Sequence, residues 1–359
     1  MTSNEQSVSP SEAVANRSPV ESAESEGHPK APMSHMLGLV AVVLASLIVL
    51  LVSPWRGGFG FAYMGVVPGI AAVIASTRVA FLSAVVTAGA VLVGVTVSGS
   101  LPLSVLWMTV LAVGIVYASR YGASSVGCMI TAQAAIVIVY GRVYAGAPEP
   151  FNQPHTFTGG LPVAAFALGG GLVVALAGQI FLRRFPGRLG DDLSVPDSWW
   201  YGASVIPLTI VGTLVCRAFF PGTHSWWFLL TVYVVLLPVS VAAIERMRGR
   251  VIGTVAGAAV VAVVTFVVAE AELSVNIIYG LALIAAVGTI VFAHGSYTLD
   301  AAFLTATVLL GGFGSANNPT LLHGERVGLT ILGAAAAFGA LRFNDWLRAR
   351  VDQRPELTT

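Results

Sequence analysis

Apolar runs long enough to cross a membrane follow one another from residue 36 almost to the end of this 359-residue chain. A helix needs about 20 apolar residues to cross the hydrocarbon core of a bilayer, with a working range of about 17–25. Lipid cannot satisfy the open edge of a sheet, and the runs lack the alternation of a membrane barrel, so we expect helices. We count twelve spans, at residues 36–53, 59–76, 79–98, 103–119, 122–140, 159–182, 199–219, 225–243, 250–269, 275–293, 297–314 and 325–342.

The composition agrees with a protein that lies in lipid. The chain is 56% hydrophobic and 10% charged, whereas a soluble domain carries about 25% charged residues. Its arginines are scattered singly or flank apolar runs, whereas a nucleic-acid-binding protein gathers them on one face. The sequence therefore predicts an all-α polytopic membrane protein that contacts membrane lipids and binds no nucleic acid.

Polar segments divide the chain into parts. Residues 1–33 are rich in Ser, Glu and Pro and have no apolar period, so we expect a disordered tail. A short polar linker separates two membrane halves and leaves no room for a soluble domain between them. The expected parts are a cytoplasmic tail at 1–33, a first membrane half at 34–182, the linker at 183–198, a second membrane half at 199–343 and a cytoplasmic C-terminal tail at 344–359.

The basic residues predict the orientation, because cytoplasmic loops are enriched in Lys and Arg. With the N-terminus inside and the spans alternating, only Arg56, Arg142, Arg217 and Arg326 of the 18 basic residues fall outside or at the outer edge. We therefore expect a multi-pass protein of the plasma (inner) membrane with both termini in the cytoplasm. On this topology residues 245–250 form the cytoplasmic elbow between spans eight and nine.

The chain also has the marks of an internal duplication. Pro68 lies ten residues before Arg78, which opens span three, and Pro238 lies ten residues before Arg248, which opens span nine. Six spans per repeat is an even number, so both halves enter the membrane from the same side. The sequence thus predicts two parallel six-helix repeats, a common plan in transporters, whose substrate path lies where the repeats meet.

A glycine motif opens span nine. Gly249, Gly253 and Gly257 are four residues apart, so they fall on one face of a helix, where small residues let a neighbouring backbone approach closely. Thr254 adds a hydroxyl that can bond to a carbonyl one turn back or to a partner helix. We expect this group to pack helices together.

Three arginines precede the glycines, at positions 246, 248 and 250. Together they create a positive potential that attracts carboxylates. They can equally contact anionic lipid head groups and anchor the topology. Arg246, Arg248 and Arg250 are therefore candidates for substrate recruitment, with anchoring or lipid contact as the favoured alternative.

Asp300 is the one acid that falls clearly within a predicted span. Ionisable groups at membrane depth are costly and are usually functional. Asp300 also lies within a turn of the start of its span, where an acid is favoured by the helix dipole, so both interpretations stay open. Tyr297 and Thr307 fall near the same helical face, which favours a lined cavity.

Three further residues are candidates for shaping a path. Gln133 lies in the middle of span five, where its amide can line a cavity or bond to another helix. Pro68 and Pro238 are expected to kink spans two and eight, which either shapes a path or only bends a helix.

Two segments resemble the signature of the fusaric acid resistance protein-like (FUSC) family, also called aromatic acid exporter-like: WWFLLTVYVVLLP (226–238) and ERMRGRVIGTVAGAA (245–259). The family pattern R-V-x-G-T-x-x-G falls on Arg250, Val251, Gly253, Thr254 and Gly257. The closing segment, 325–341, resembles the family's last span, which opens with an arginine. The resemblance covers residues 224–343 and implies an exporter of aromatic acids.

Several other classes of protein are disfavoured. The only lysine is Lys30, which excludes a Walker A phosphate loop. The six histidines show no metal-ligand spacing, and the sequence shows no Ser-His-Asp or Cys-His arrangement. We therefore expect no enzymatic activity, no metal and no cofactor.

Three functions fit these observations. The first is a proton-driven exporter of small aromatic or amphipathic organic acids. The second is a passive anion channel, because the helical half also resembles, distantly, the plant aluminium-activated malate channels. The third is a non-transporting scaffold in envelope assembly. We favour the exporter, whose expected partners are a small organic anion, membrane lipids and, as an open alternative, a second copy of the chain.

Overall fold

The computed structural model describes residues 32–140, 155–185, 190, 192–220, 223–238, 240–271, 274–292, 296–312 and 319–352. Within these residues the chain is helical and contains no strand. Twelve α-helices lie in this part of the chain: α1 (Met33–Val52), α2 (Phe59–Val73), α3 (Thr77–Val97), α4 (Leu101–Ser119), α5 (Ser124–Val139), α6 (Phe157–Phe181), α7 (Val195–Phe219), α8 (Trp226–Val235), α9 (Ser240–Glu270), α10 (Val275–Phe292), α11 (Tyr297–Gly312) and α12 (Pro319–Asp352).

The helices confirm the predicted all-α multi-pass membrane architecture. Seven of those described are long and apolar enough to cross a membrane: Ser34–Val52, Thr77–Val97, Leu101–Ser119, Phe157–Phe181, Val195–Phe219, Ala243–Val268 and Gly324–Val351. Each of the twelve predicted spans overlaps an α-helix, and span eight (225–243) overlaps two, α8 and the start of α9. Several of those helices are too short to cross a bilayer alone, so the number of spans stays a prediction.

The boundary between spans eight and nine was predicted wrongly. Helix α8 ends at Val235, and α9 begins at Ser240, so residues 245–250 form helix inside α9 instead of an elbow. The expected kink at Pro238 is a break between two helices, because proline has no N–H and disfavours a helical residue before it. Pro68, in contrast, lies inside α2.

Side-chain hydroxyls bond to groups at and next to this break. The hydroxyl of Tyr201, on α7, donates to the carbonyl oxygen of Leu236 at 2.9 Å. The hydroxyl of Tyr233, in the last turn of α8, donates to that of Thr209 at 3.1 Å. The bond to Leu236 satisfies one carbonyl left free at the helix end, which helps a helix to end inside a membrane bundle, where water is scarce.

The last helix is longer than its predicted span. Residues 344–352, expected to begin a tail, continue α12 as helix. The side-chain amide of Asn344 donates to the carbonyl oxygen of Trp200 at 2.8 Å, and Arg348 pairs with Asp197 at 2.6 Å. These contacts hold the end of α12 against the start of α7. The expected N-terminal tail lies outside the described residues up to residue 31.

The same helix pairs pack in both halves. Helix α3 packs on α5 and α6, and α9 packs on α11 and α12. Helix α2 packs on α6 as α8 packs on α12, and α4 packs on α5 as α10 packs on α11. The halves meet where α4 contacts α7 and where α5 contacts α8.

Candidate functional site

Helices α9 and α11 touch along the glycine face of α9. A Cβ atom on Gly249 would lie 2.9 Å from the ring of Tyr297. On Gly253 it would overlap the carbonyl oxygen of Thr298, and on Gly257 it would overlap the backbone of α11 one turn further along. The two backbones are therefore in direct contact, and no side chain fits between them at these positions.

Thr254 adds a polar contact beside the glycine face. The hydroxyl of Thr305, on α11, donates to the hydroxyl of Thr254 at 3.4 Å, and both side chains are buried. An interhelical hydrogen bond next to small residues is a usual way of joining helices in lipid. The contact fixes the register of α9 against α11, and with it the place of the charged residues near the N-terminal ends of both helices.

Two of the three arginines near the start of α9 turn towards α11. The guanidinium of Arg246 lies 5.4 Å from the centre of the Tyr297 ring, a cation–π contact. The side chain of Arg250 is only 1% exposed. Both arginines lie within electrostatic range of Tyr297 and of the Asp300 carboxylate. Arg248 is exposed and takes no part in this group.

Asp300 lies within electrostatic range of residues from both halves of the bundle. It is half-buried in the first turn of α11, where an acid also favours the positive end of the helix dipole. Arg246 and Arg250 approach it from α9, and Tyr63 lies within electrostatic range from α2 in the first half. Asp300 is thus a helix-start acid that also lies within electrostatic range of two cations.

Arg326 was missed as a site residue. We assigned it to the outer edge of the membrane, yet it is fully buried on α12. Its guanidinium lies 4.8 Å from the ring centre of Trp227, on α8, and within electrostatic range of Arg250 and Tyr297. The sequence signal that could have identified it is an arginine at the start of the last apolar span. Its burial depends on its contact with α8 and could not be predicted from the sequence.

The remaining predicted residues lie apart from this group. The hydroxyl of Thr307 donates to the carbonyl oxygen of Phe303 within α11, at 2.8 Å. Gln133 is buried on α5, which packs on α2, α3, α4, α7 and α8. Pro68 lies in α2, one turn from Tyr63, and Pro238 lies in the break before α9.

We call the group formed by Arg246, Arg250, Tyr297, Asp300 and Arg326 the arginine cluster.

The part of the chain that the structure describes contains no group of three His, Cys, Asp or Glu residues that could hold a metal ion. The arginine cluster offers guanidinium groups, a phenol and one carboxylate instead. Guanidinium groups bind carboxylates and phosphates through paired hydrogen bonds and keep their charge at any physiological pH. The arrangement is therefore suited to holding an organic anion.

The fold and the cluster together define a polytopic helical membrane protein with a buried cationic site. The family model described as fusaric acid resistance protein-like matches residues 209–340, which confirms the resemblance predicted from the sequence. All five residues of the arginine cluster lie within the matched segment. No curated protein and no solved structure matches the chain. Residues 209–340 are thus similar to the fusaric acid resistance protein-like family.

Proposed function

We propose that this protein exports small aromatic or amphipathic organic acids across the plasma membrane, driven by the proton gradient. The observation that carries the proposal is the arginine cluster, in which Arg250 and Asp300 lie within electrostatic range of each other on two tightly packed membrane helices. Charges at membrane depth are expensive and mark transport paths more often than structural positions. The match to the fusaric acid resistance protein-like model supports a transporter.

The charge of the cluster favours an anion as the substrate. Arginine keeps its proton in a protein, so Arg246 and Arg250 stay cationic throughout any transport cycle. One carboxylate, Asp300, faces both of them. A substrate carboxylate supplies a second negative charge and binds to part of the guanidinium surface of the two arginines. The inside-negative membrane potential then favours its outward movement by about 2.3 kcal/mol per charge per 100 mV.

The proton dependence is assigned to Asp300. A carrier that uses a proton gradient needs a group that gains and loses a proton within the cycle. The arginines of the cluster cannot do so, whereas a carboxylate can. Its place between α9 and α11 puts the proton next to the groups that hold the anion.

The topology of the proposal has twelve spans in two parallel six-helix repeats, with both termini in the cytoplasm. The recurrence of the same packed helix pairs in both halves supports the repeats. Contacts between residues assigned to the outer side support the alternation: Ser98 bonds to His155 at 2.6 Å, and Tyr140 bonds to His224 at 3.4 Å.

Flux measurements test the proposal. The purified protein is reconstituted into liposomes, and movement of radiolabelled benzoate is followed with and without a pH gradient. We expect benzoate flux that exceeds that of empty liposomes and that accumulates against its gradient only when the pH gradient is present. Absence of flux would favour the non-transporting scaffold.

A passive anion channel is the second candidate. It is favoured by the excess of cationic over acidic side chains, since Arg246, Arg250 and Arg326 outnumber Asp300. A channel would move benzoate down its electrochemical gradient and would never accumulate it at the expense of the pH gradient. The same flux experiment therefore separates the two functions.

A further inference from the structure

The guanidinium group of Arg326 has an unusual environment. The side chain is fully buried, and its Nε, Nη1 and Nη2 atoms have no hydrogen-bond partner among the described residues. Arg250 is in a similar position, with its Nε and Nη2 atoms buried and unpartnered in the same part of the chain. Each of the two arginines is within electrostatic range of the other, so their positive charges repel.

Two neighbouring buried cations need a negative charge. Arginine keeps its proton in a protein, so neither positive charge is removed by deprotonation. Burial of an uncompensated charge costs several kcal/mol even after the protein relaxes. The contact of Arg326 with Trp227 offsets part of this cost, since a desolvated cation–π contact contributes about 2 kcal/mol. An anion between the two guanidinium groups would offset more, because it would attract both and pair with their free nitrogens.

The acids nearest in sequence and space are engaged elsewhere. Asp300 lies in the field of Arg250 and Arg246, on the side of α9 that faces α11. Glu325, the residue before Arg326, faces His224 instead, with 3.3 Å between its Oε2 and the Nδ1 of the ring. Neither carboxylate bonds to Arg326 in the described structure.

Further buried polar groups lie on the helices that contact the two arginines. The indole nitrogen of Trp227 on α8 is buried and has no partner in the described structure. The hydroxyl of Tyr297 on α11 is buried next to the guanidinium of Arg250. The hydroxyl of Thr231 is a further one, one turn along α8 from Trp227 and on the side that faces Gly333 of α12. With the two arginines, they supply hydrogen-bond donors on helices α8, α9, α11 and α12.

We propose that Arg250 and Arg326 together bind the carboxylate of an aromatic monocarboxylic acid, with Thr231 and Tyr297 as additional hydrogen-bond donors. This inference rests on the proposed function and names the binding residues. The guanidinium groups supply paired hydrogen bonds to the carboxylate. The rings of Trp227 and Tyr297 flank the pair and favour a flat, apolar body over a second charged group.

Calorimetry with benzoate on the purified protein in detergent tests the site. We expect Arg326→Met to weaken benzoate binding by about 30-fold or more, the size of effect seen when one partner of a buried charge pair is removed. Arg342→Gln is the matched control on the same helix, because Arg342 is exposed and contacts Phe338. Asp300→Asn should bind benzoate at least as tightly as the unmodified protein, since a competing carboxylate is removed.

The melting temperature without ligand separates a binding role from a structural one. If Arg326 serves the ligand, Arg326→Met removes an uncompensated buried charge, and the ligand-free protein should melt at the same or a higher temperature. A variant that misfolds, that melts at a much lower temperature, or that binds benzoate as the unmodified protein does would overturn the site. Benzoate flux in liposomes together with unchanged binding by Arg326→Met would reject the site and keep the function. Loss of benzoate binding by Arg326→Met, together with no benzoate flux by the unmodified protein, would keep the site and reject the function.

Discussion

Neighbouring arginines on one helix have different surroundings in this protein. Arg246 lies over the ring of Tyr297, Arg248 is exposed, and Arg250 is buried beside Asp300. From the sequence alone, all three belong to one cationic group at the start of a predicted span. The helical continuation of α9 separates them, because residues two apart on a helix point in different directions.

The first prediction uses this difference. Arg246→Gln should raise the apparent KM for benzoate roughly fivefold, the factor that corresponds to about 1 kcal/mol from a cation–π and electrostatic contact. Arg248→Gln is the matched control and should leave KM unchanged. Both variants are measured by benzoate flux in liposomes, after labelling has shown a correct orientation. Equal effects of the two substitutions would mean that the arginines act only through their general positive charge.

At the scale of the helix, most of the fold was predictable, because lipid imposes a length and a composition on every span. The break after Val235 follows from Pro238, yet the sequence alone did not place the restart at Ser240. Polar residues at 245–250 are compatible both with a loop and with a helix that extends beyond the lipid. The burial of Arg326 was not predictable either, since it arises from the contact of α12 with Trp227 on α8.

The second prediction concerns the contact between α9 and α11. Gly253→Leu should lower the free energy of unfolding by about 1–3 kcal/mol, because its side chain would separate two backbones that touch. Gly280→Leu on α10 is the control, since a Cβ at Gly280 meets nothing within 4 Å. The melting temperature of both variants in detergent provides the measurement. Similar melting temperatures would show that the close approach of α9 and α11 contributes little.

At the scale of the whole molecule, the two halves use the same helix pairs and are joined through α4, α5, α7 and α8. Tyr63 and Tyr233 are 170 residues apart, the same offset that separates Pro68 from Pro238. Tyr63 lies near Asp300 of the other half. The charged side chains, in contrast, are concentrated in the second half, so the halves are alike in packing and not in chemistry.

The third prediction tests the orientation. In a background with Cys128 and Cys216 replaced by alanine, a membrane-impermeant thiol reagent should label Pro54→Cys in intact cells. It should label Tyr121→Cys only after permeabilisation, because Tyr121 lies in the turn between α4 and α5 on the proposed cytoplasmic side. Both positions are exposed in the structure. The opposite labelling pattern would invert the topology.

The central claim is that a proton gradient drives an organic anion through a site that contains Asp300. Inverted membrane vesicles present the cytoplasmic face outwards, so export appears as uptake into the lumen. We predict that the unmodified protein accumulates radiolabelled benzoate when the lumen is acidic, and that Asp300→Asn folds but does not accumulate it. Glu245→Gln, at an exposed acid on α9, should behave as the unmodified protein does. Normal accumulation by Asp300→Asn would contradict the account, leaving Asp300 as a helix-start residue and the passive channel as the better description.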